Sequence, residues 1–182
     1  YIIRSSAGST MYLNNISYER NLDAQDGGII YLNDSSVKGC DSDNATVYWY
    51  NSNTSDGRVW SYYGGVINFT GGQSYLTTDE DFTDLDGYGS GLDGKFNIIA
   101  GNVYRKMNLT IKDSTGTSNY VNVDFYINDS FGNNLYSGTT NGSGFDSFWL
   151  NLTAISGPGN QTLLVGNSNI SIKTLSSPTL TN

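Results

Sequence analysis

Histidine is absent from the 182-residue chain, cysteine occurs once and proline twice. Without imidazole there is no Ser-His-Asp or Cys-His nucleophile, no histidine acid–base step and no histidine-ligated metal. The single Cys40 has no internal disulfide partner. It reads as a buried, unreactive side chain, with an intermolecular bridge as the other use. Charge is scarce as well, at 14% of residues against a usual ~25%. The net charge of −8, with nine scattered Lys and Arg, repels a phosphate backbone and argues against nucleic acid as a partner. No apolar run approaches the ~18 residues of a membrane span, so no transmembrane segment is expected. The chain begins at Tyr1 rather than Met, as a processed product or an excised piece does.

What is present favours strands. The chain holds 14 Tyr, 7 Phe and 3 Trp, all strand formers, while the helix formers Ala, Glu and Lys are few. No segment carries a helical apolar period; short apolar runs bounded by Gly, Asn, Asp and Ser recur instead. The expectation is an all-β chain, long enough to bury a core without staples. Amides and hydroxyls must wet its surface in place of charge.

Eleven Asn-x-Ser/Thr sequons stand in the chain, at Asn15, Asn33, Asn44, Asn53, Asn68, Asn108, Asn128, Asn141, Asn151, Asn160 and Asn169, none with Pro between. Roughly five are expected by chance from the Asn, Ser and Thr content. The motif marks a surface acceptor in a secreted protein. Side-chain alternation sets Asn108 opposite Val103, Met107 and Leu109, Asn128 opposite Phe125 and Ile127, Asn151 opposite Phe148 and Leu150, and Asn169 opposite Ile170 and Ile172. Asn15 shares parity with Met11 and Leu13, which suits a place just past a strand end.

Three stretches divide the chain: a β-rich half over 1–76, an Asp/Gly-rich loop or linker over 77–95, and a half with cleaner alternation over 96–182. In the first, Tyr12-Leu13-Asn14 and Tyr31-Leu32-Asn33 lie 19 residues apart and later candidates follow at 17 to 18. That spacing fits successive coils of a β-helix, and it fits a sandwich with hairpins equally. In the last, YVNVDFYINDSFGNNLYSGTTNGSGF, Tyr120 to Phe145, and Gly157-Pro158-Gly159 before TLLV resemble immunoglobulin-like and transthyretin-like sandwich modules of archaeal and bacterial surface proteins. The first half is more faintly similar to β-helical stretches beside such modules. The resemblance implies a β-sandwich, immunoglobulin-like or jelly-roll-like, possessing no catalytic residues to transfer, after a β-rich or β-helical half.

Carboxylates are the remaining candidates for chemistry. Asp79, Glu80, Asp81, Asp84, Asp86 and Asp93 crowd one Gly-rich loop, whereas a glycosidase needs two carboxylates on opposite sides of a sugar. Asp79, Asp81, Asp84, Asp86 and Asp93 suit calcium, which takes six to eight oxygens, or a hydrated acidic turn. Asp84-x-Asp86-Gly87 matches part of an EF-type loop, with Phe82 at the first ligand position. Tyr48-Trp49-Tyr50 and Trp60-Ser61-Tyr62-Tyr63 offer rings for sugar stacking, for the core or for a neighbouring subunit.

The expected function is a non-enzymatic structural subunit of an N-glycosylated extracellular filament or coat. Its partners would be copies of itself and its own glycans, with strand addition joining copies through Tyr1, Ile2 and Ile3 or through Ile170 and Ile172. A monomeric adhesin or carbohydrate-binding module of a larger surface protein is the alternative.

Overall fold

A computed structural model describes residues 2–55, 59–77, 95–128, 132–151 and 153, together with the strand backbones 161–162, 171–174 and 179–180. The chain divides into two units, 1–105 with 151–167, and 106–150 with 168–182. The expected loop boundary at 77–95 lies, but for its two ends, outside the described residues; the division between units falls inside a strand.

The first unit is a parallel β-solenoid of about four turns. Its strands are β1 (Ile3–Ser5), β2 (Thr10–Asn14), β3 (Ser17–Gln25), β4 (Ile29–Asn33), β5 (Ser36–Asp43), β6 (Thr46–Tyr50), β7 (Asn53–Thr54), β8 (Val59–Tyr62), β9 (Val66–Leu76) and β10 (Lys95–Thr110). They stack into three parallel faces. One face runs β1, β3, β5, β8 in the register Ile3, Leu22, Cys40, Val59. A second runs β2, β4, β6, β9, β10 in the register Met11, Ile30, Val47, Ile67, Phe96. The third is short and aligns Tyr18, Val37, Thr54, Leu76 and Arg105, and β15 (Gln161–Thr162) pairs antiparallel with β10 at Asn97 and Ile98.

Alternation puts one column of each strand inside. Leu22, Ile30, Leu32, Val37, Cys40, Val47, Trp49 and Ile67 are wholly buried, with Phe69, Phe96 and Ile98 close behind. Each such aliphatic side chain contributes about 1.5–3 kcal/mol on leaving water. Corners are made by left-handed residues in two columns. Ala7, Asp26, Asn44 and Tyr63 turn the first face into the second, and Asn15, Asp34 and Asn51 turn the second into the third, all with φ between 43° and 52°. Asn and Asp tolerate that conformation because their short polar side chains bond locally.

Buried serines complete the second corner. Ser35 Oγ accepts from Ile16 N–H at 3.1 Å and donates to Asn33 C=O at 2.6 Å. One coil on, Ser52 Oγ accepts from Ser35 N–H at 3.0 Å and donates to Tyr50 C=O at 2.7 Å. Main-chain groups that a corner would strand without partners are thereby satisfied.

The second unit is antiparallel. β12 (Asp124–Asn128) lies between β13 (Asn134–Thr139) and β16 (Ser171–Thr174), and β11 (Tyr120–Val121) pairs with β17 (Thr179–Leu180). Val121, Val123, Phe125 and Ile127 form its core with Phe148 and Leu150 of β14 (Phe145–Asn151). The Tyr136 ring stacks on Phe148 at 3.9 Å.

The β-sandwich expectation is therefore overturned: the largest sheet is a set of parallel rungs, not hairpin-linked antiparallel strands packed face to face. The physical reason is that both architectures ask for short alternating strands closed by turn residues, and only the pairing partner separates them.

Candidate functional site

Among the described residues the functional candidates are the ladders on the outside of the solenoid. On the second face Tyr12, Tyr31 and Tyr48 share a register position, and their rings stack at 4.8 and 4.7 Å within 10° of parallel. Stacked this way, Tyr31 has a ring on each face, so a sugar cannot lie flat on it. Tyr48 has Asn68 in register on its other side, and Tyr12, at the end of the row, is 66% exposed. Of the other sugar-stacking candidates, Trp49 is wholly buried, as strand alternation within Tyr48-Trp49-Tyr50 requires.

Amide ladders flank the rings. Asn33 Nδ2 donates to Asn14 Oδ1 at 2.7 Å, Asn97 Nδ2 to Asn68 Oδ1 at 2.9 Å, and Asn51 Nδ2 to Asp34 Oδ1 at 2.7 Å. In-register stacking of identical or matching polar side chains is the parallel-sheet form of cross-strand pairing.

The first face carries acids. Arg4, Asp23 and Asp41 follow one another in register, and Arg4 bridges Asp23 through Nη2 at 2.8 Å and Nε at 3.0 Å. Asp43 sits on the neighbouring column. Burial raises its carboxyl above the usual range, and the charges of Asp26 and Asp23 raise it further. A carboxyl raised in the folded state adds stability below its unfolded pKa and loses it as pH rises through the folded one. Asp43→Asn should accordingly raise the melting midpoint at neutral pH and leave it unchanged in strong acid. Equal gains at both pH values would show that charge is not the cause. Burial, then Asp41 and Asp23, push the Cys40 thiol well up, so Cys40 stays protonated and unreactive.

The sequons divide by exposure. Asn15, Asn44, Asn108 and Asn141 are exposed; Asn33, Asn53, Asn128 and Asn151 are half-buried; Asn68 is buried, at 8%. Asn15 follows directly on β2, at a corner. Asn53 Oδ1 accepts from Tyr75 N–H at 2.9 Å. Asn160 and Asn169 lie outside the described residues. Sequence reasoning missed the corner: Asn15 and Asn44 serve as left-handed residues and Ser35 as a corner bond maker, so part of the sequon excess has a structural origin.

Asp79, Asp81, Asp84, Asp86 and Asp93 also lie outside the described residues, as do Tyr1 and Ile170. Among the described residues no group of three or more His, Cys, Asp or Glu gathers to hold a metal. Of the assembly candidates, Ile3 belongs to β1 and is hydrogen-bonded in parallel to β3 of the same chain, while the backbone of Ile172 pairs with Ile127 of β12. Ile2 is exposed. Donation of either terminal strand to a neighbour would first have to break these pairings.

Comparison with protein-family models, with curated proteins and with solved structures finds no match. No helix among the described residues is long and apolar enough to cross a membrane. The geometry thus defines an architectural class, a parallel β-solenoid joined to an antiparallel β unit.

Proposed function

We propose that the chain is a structural module of an N-glycosylated extracellular filament or surface coat, without catalytic activity. The observation that carries this reading is the run of eleven sequons, four of which present an exposed acceptor on corners, turns or strands of the fold. A stack of parallel rungs suits such a role. It holds surface groups at fixed spacing along an axis, and each coil braces only its neighbours, so length is gained without a larger core.

Sugar at exposed acceptors would wet a surface that has little charge to do so. Glycopeptide mapping of the native protein tests the reading site by site. Asn15, Asn44, Asn108 and Asn141 should carry glycan, and Asn68 should not. Native protein with the bare mass of 19.8 kDa would sink the proposal, and full occupancy of Asn68 would sink the exposure rule behind it.

A further inference from the structure

We infer that folding gates glycosylation: Asn33 and Asn151 accept sugar only on a chain that has not yet closed its coils, whereas Asn15, Asn44, Asn53, Asn108 and Asn141 stay open to a transferase after folding. The inference rests on the glycoprotein reading and adds to it an order of events. Exposure of the Asn does not make this division, because Asn33, Asn53 and Asn151 are all half-buried.

The other end of the motif makes it. Ser and Thr have only the hydroxyl in common, so an enzyme that asks for either one two residues after Asn must reach that oxygen. In the transfer, Asn Nδ2 bonds to the anomeric carbon of a lipid-phosphate-linked sugar and gives up one amide proton. The bond from that carbon to the phosphate oxygen breaks, with its electron pair going to the lipid phosphate. Both the nitrogen that bonds and the hydroxyl that is read must therefore be free at once.

At Asn33 both are occupied. Nδ2 donates to Asn14 Oδ1 on the preceding rung at 2.7 Å. The hydroxyl of the motif is that of Ser35, 4% exposed, held between Ile16 N–H and Asn33 C=O. The main chain around it is held as well. Ser52 Oγ accepts from Ser35 N–H at 3.0 Å, and Ser36 N–H donates to Ile16 C=O at 2.9 Å. Reaching Ser35 means breaking its ties to the coils on either side.

Asn151 is closed by different partners. Its Nδ2 donates to Asn102 Oδ1 at 3.4 Å and its Oδ1 accepts from Thr153 N–H at 3.0 Å. Thr153 Oγ1 in turn accepts at 3.0 Å from the N–H of Val103, a residue 1% exposed.

The open sites show the contrast. Asn15 with Ser17, Asn108 with Thr110 and Asn141 with Ser143 have both members exposed, and the exposed Asn44 is followed by a half-buried Thr46 at the start of β6. Where these side chains are bonded, it is the oxygen that is engaged. Asn141 Oδ1 accepts from Ser143 and Phe145 N–H at 2.8 and 3.2 Å, and Asn108 Oδ1 from Ser147 Oγ at 3.0 Å. Asn53 follows the same rule, with Oδ1 on Tyr75 N–H and Ser55 exposed. It is the internal control for Asn33: equal in burial, opposite in the hydroxyl.

A sugar placed early at Asn33 does not forbid closure. The linked nitrogen keeps one hydrogen, enough for the bond to Asn14, and alternation with the buried Leu32 sets Asn33 on the outer face. Asn68 differs, being 8% exposed with Thr70 Oγ1 donating to Trp49 C=O at 3.2 Å; a sugar there would hold the coil open.

The test uses the full chain made without glycan, a single-subunit oligosaccharyltransferase that accepts Asn-x-Ser/Thr, and a lipid-linked oligosaccharide. In one arm the chain is folded before the enzyme is added; in the other it is diluted from urea straight into the reaction. Where refolding outruns transfer, Trp49→Ala held above its own melting midpoint supplies the open chain. Mass spectrometry reads occupancy site by site. On the folded chain Asn33 and Asn151 should be modified at least about tenfold more slowly than Asn15 and Asn53, since transfer there waits on local opening. On the open chain that gap should close. Equal rates at Asn33 and Asn53 on the folded chain would overturn the inference. So would a failure of Asn33 and Asn151 to accept sugar on the open chain, which would make local sequence the cause. Because the substrate starts bare, a bare native mass would sink the glycoprotein reading without altering this result.

Discussion

Trp49→Ala should lower stability by about 3–5 kcal/mol, the range for emptying a buried aromatic site. Trp49 is the largest of the wholly buried side chains; it lies on the inner column of the second face, tilted against Phe69 at 5.8 Å. It also carries a polar duty, because Nε1 donates to Ser52 C=O at 2.7 Å. Alanine strands that carbonyl as well as opening a cavity, and a buried acceptor without a partner costs about 1–3 kcal/mol. Ser52 in turn ties its own corner to that of the preceding coil. The loss should therefore extend beyond one coil, and solenoid rungs that lean on their neighbours should unfold together. Urea unfolding followed by tryptophan-independent far-UV dichroism measures it. A loss under about 1 kcal/mol, the scale of a surface change, would mean that the indole is not packed as described.

The second large effect is expected at Gly65, and it differs in kind from that at the adjacent Gly64. A Cβ on Gly65 would lie 2.2 Å from Ser42 C=O oxygen and 2.9 Å from Ser42 Oγ. The first contact is with main chain on the neighbouring rung, which cannot swing aside, so Gly65→Ala must push two coils apart. Overpacking of this sort costs about 1–3 kcal/mol or more. Gly64 has φ +80° and open space around the added carbon, so Gly64→Ala pays only the left-handed penalty of about 1–2 kcal/mol. Gly28 repeats the Gly65 situation two coils earlier, with Ser5 C=O oxygen at 2.4 Å. Thermal melts of the three alanine variants should rank Gly65 and Gly28 below Gly64. Equal midpoints would remove the rung-spacing argument.

Much of the local structure was legible. Alternation along Thr10–Asn14, Ile29–Asn33 and Thr46–Tyr50 reads directly as inside and outside, and the burial pattern follows it. The spacing of 19 and then 17 residues between like positions is the length of a coil, as the Asn14–Asn33 and Asp34–Asn51 bonds show. Only its meaning was open, because a turn of about the same length also joins hairpins. The second half misled for the same reason: YVNVDFYI and the Gly- and Asn-rich turns after it describe antiparallel strands, with nothing to fix how many sheets they make.

The outer ladders were less legible. No residue in Tyr12, Tyr31 or Tyr48 announces a stack; the row exists because parallel in-register pairing sets identical positions about 4.8 Å apart, the spacing of neighbouring strands. The sequons show the converse. Their excess is plain in the chain, yet Asn68, identical in motif to Asn108, is buried beside Asn97 while Asn108 is exposed. Exposure depends on which rung covers a side chain, and the motif carries no information about that.

By itself, then, the sequence determined that this chain is built of short strands with one wet and one dry side, that its turns need Asn, Asp and Gly, and that imidazole chemistry is excluded. Those are properties of single residues and of a period of two, which act within one strand. Tertiary structure alone decided that the strands climb a parallel ladder and that Ser35 and Ser52 are buried corner pieces. These depend on non-local pairing between rungs, whose energy lies in contacts that strings of local preference do not encode.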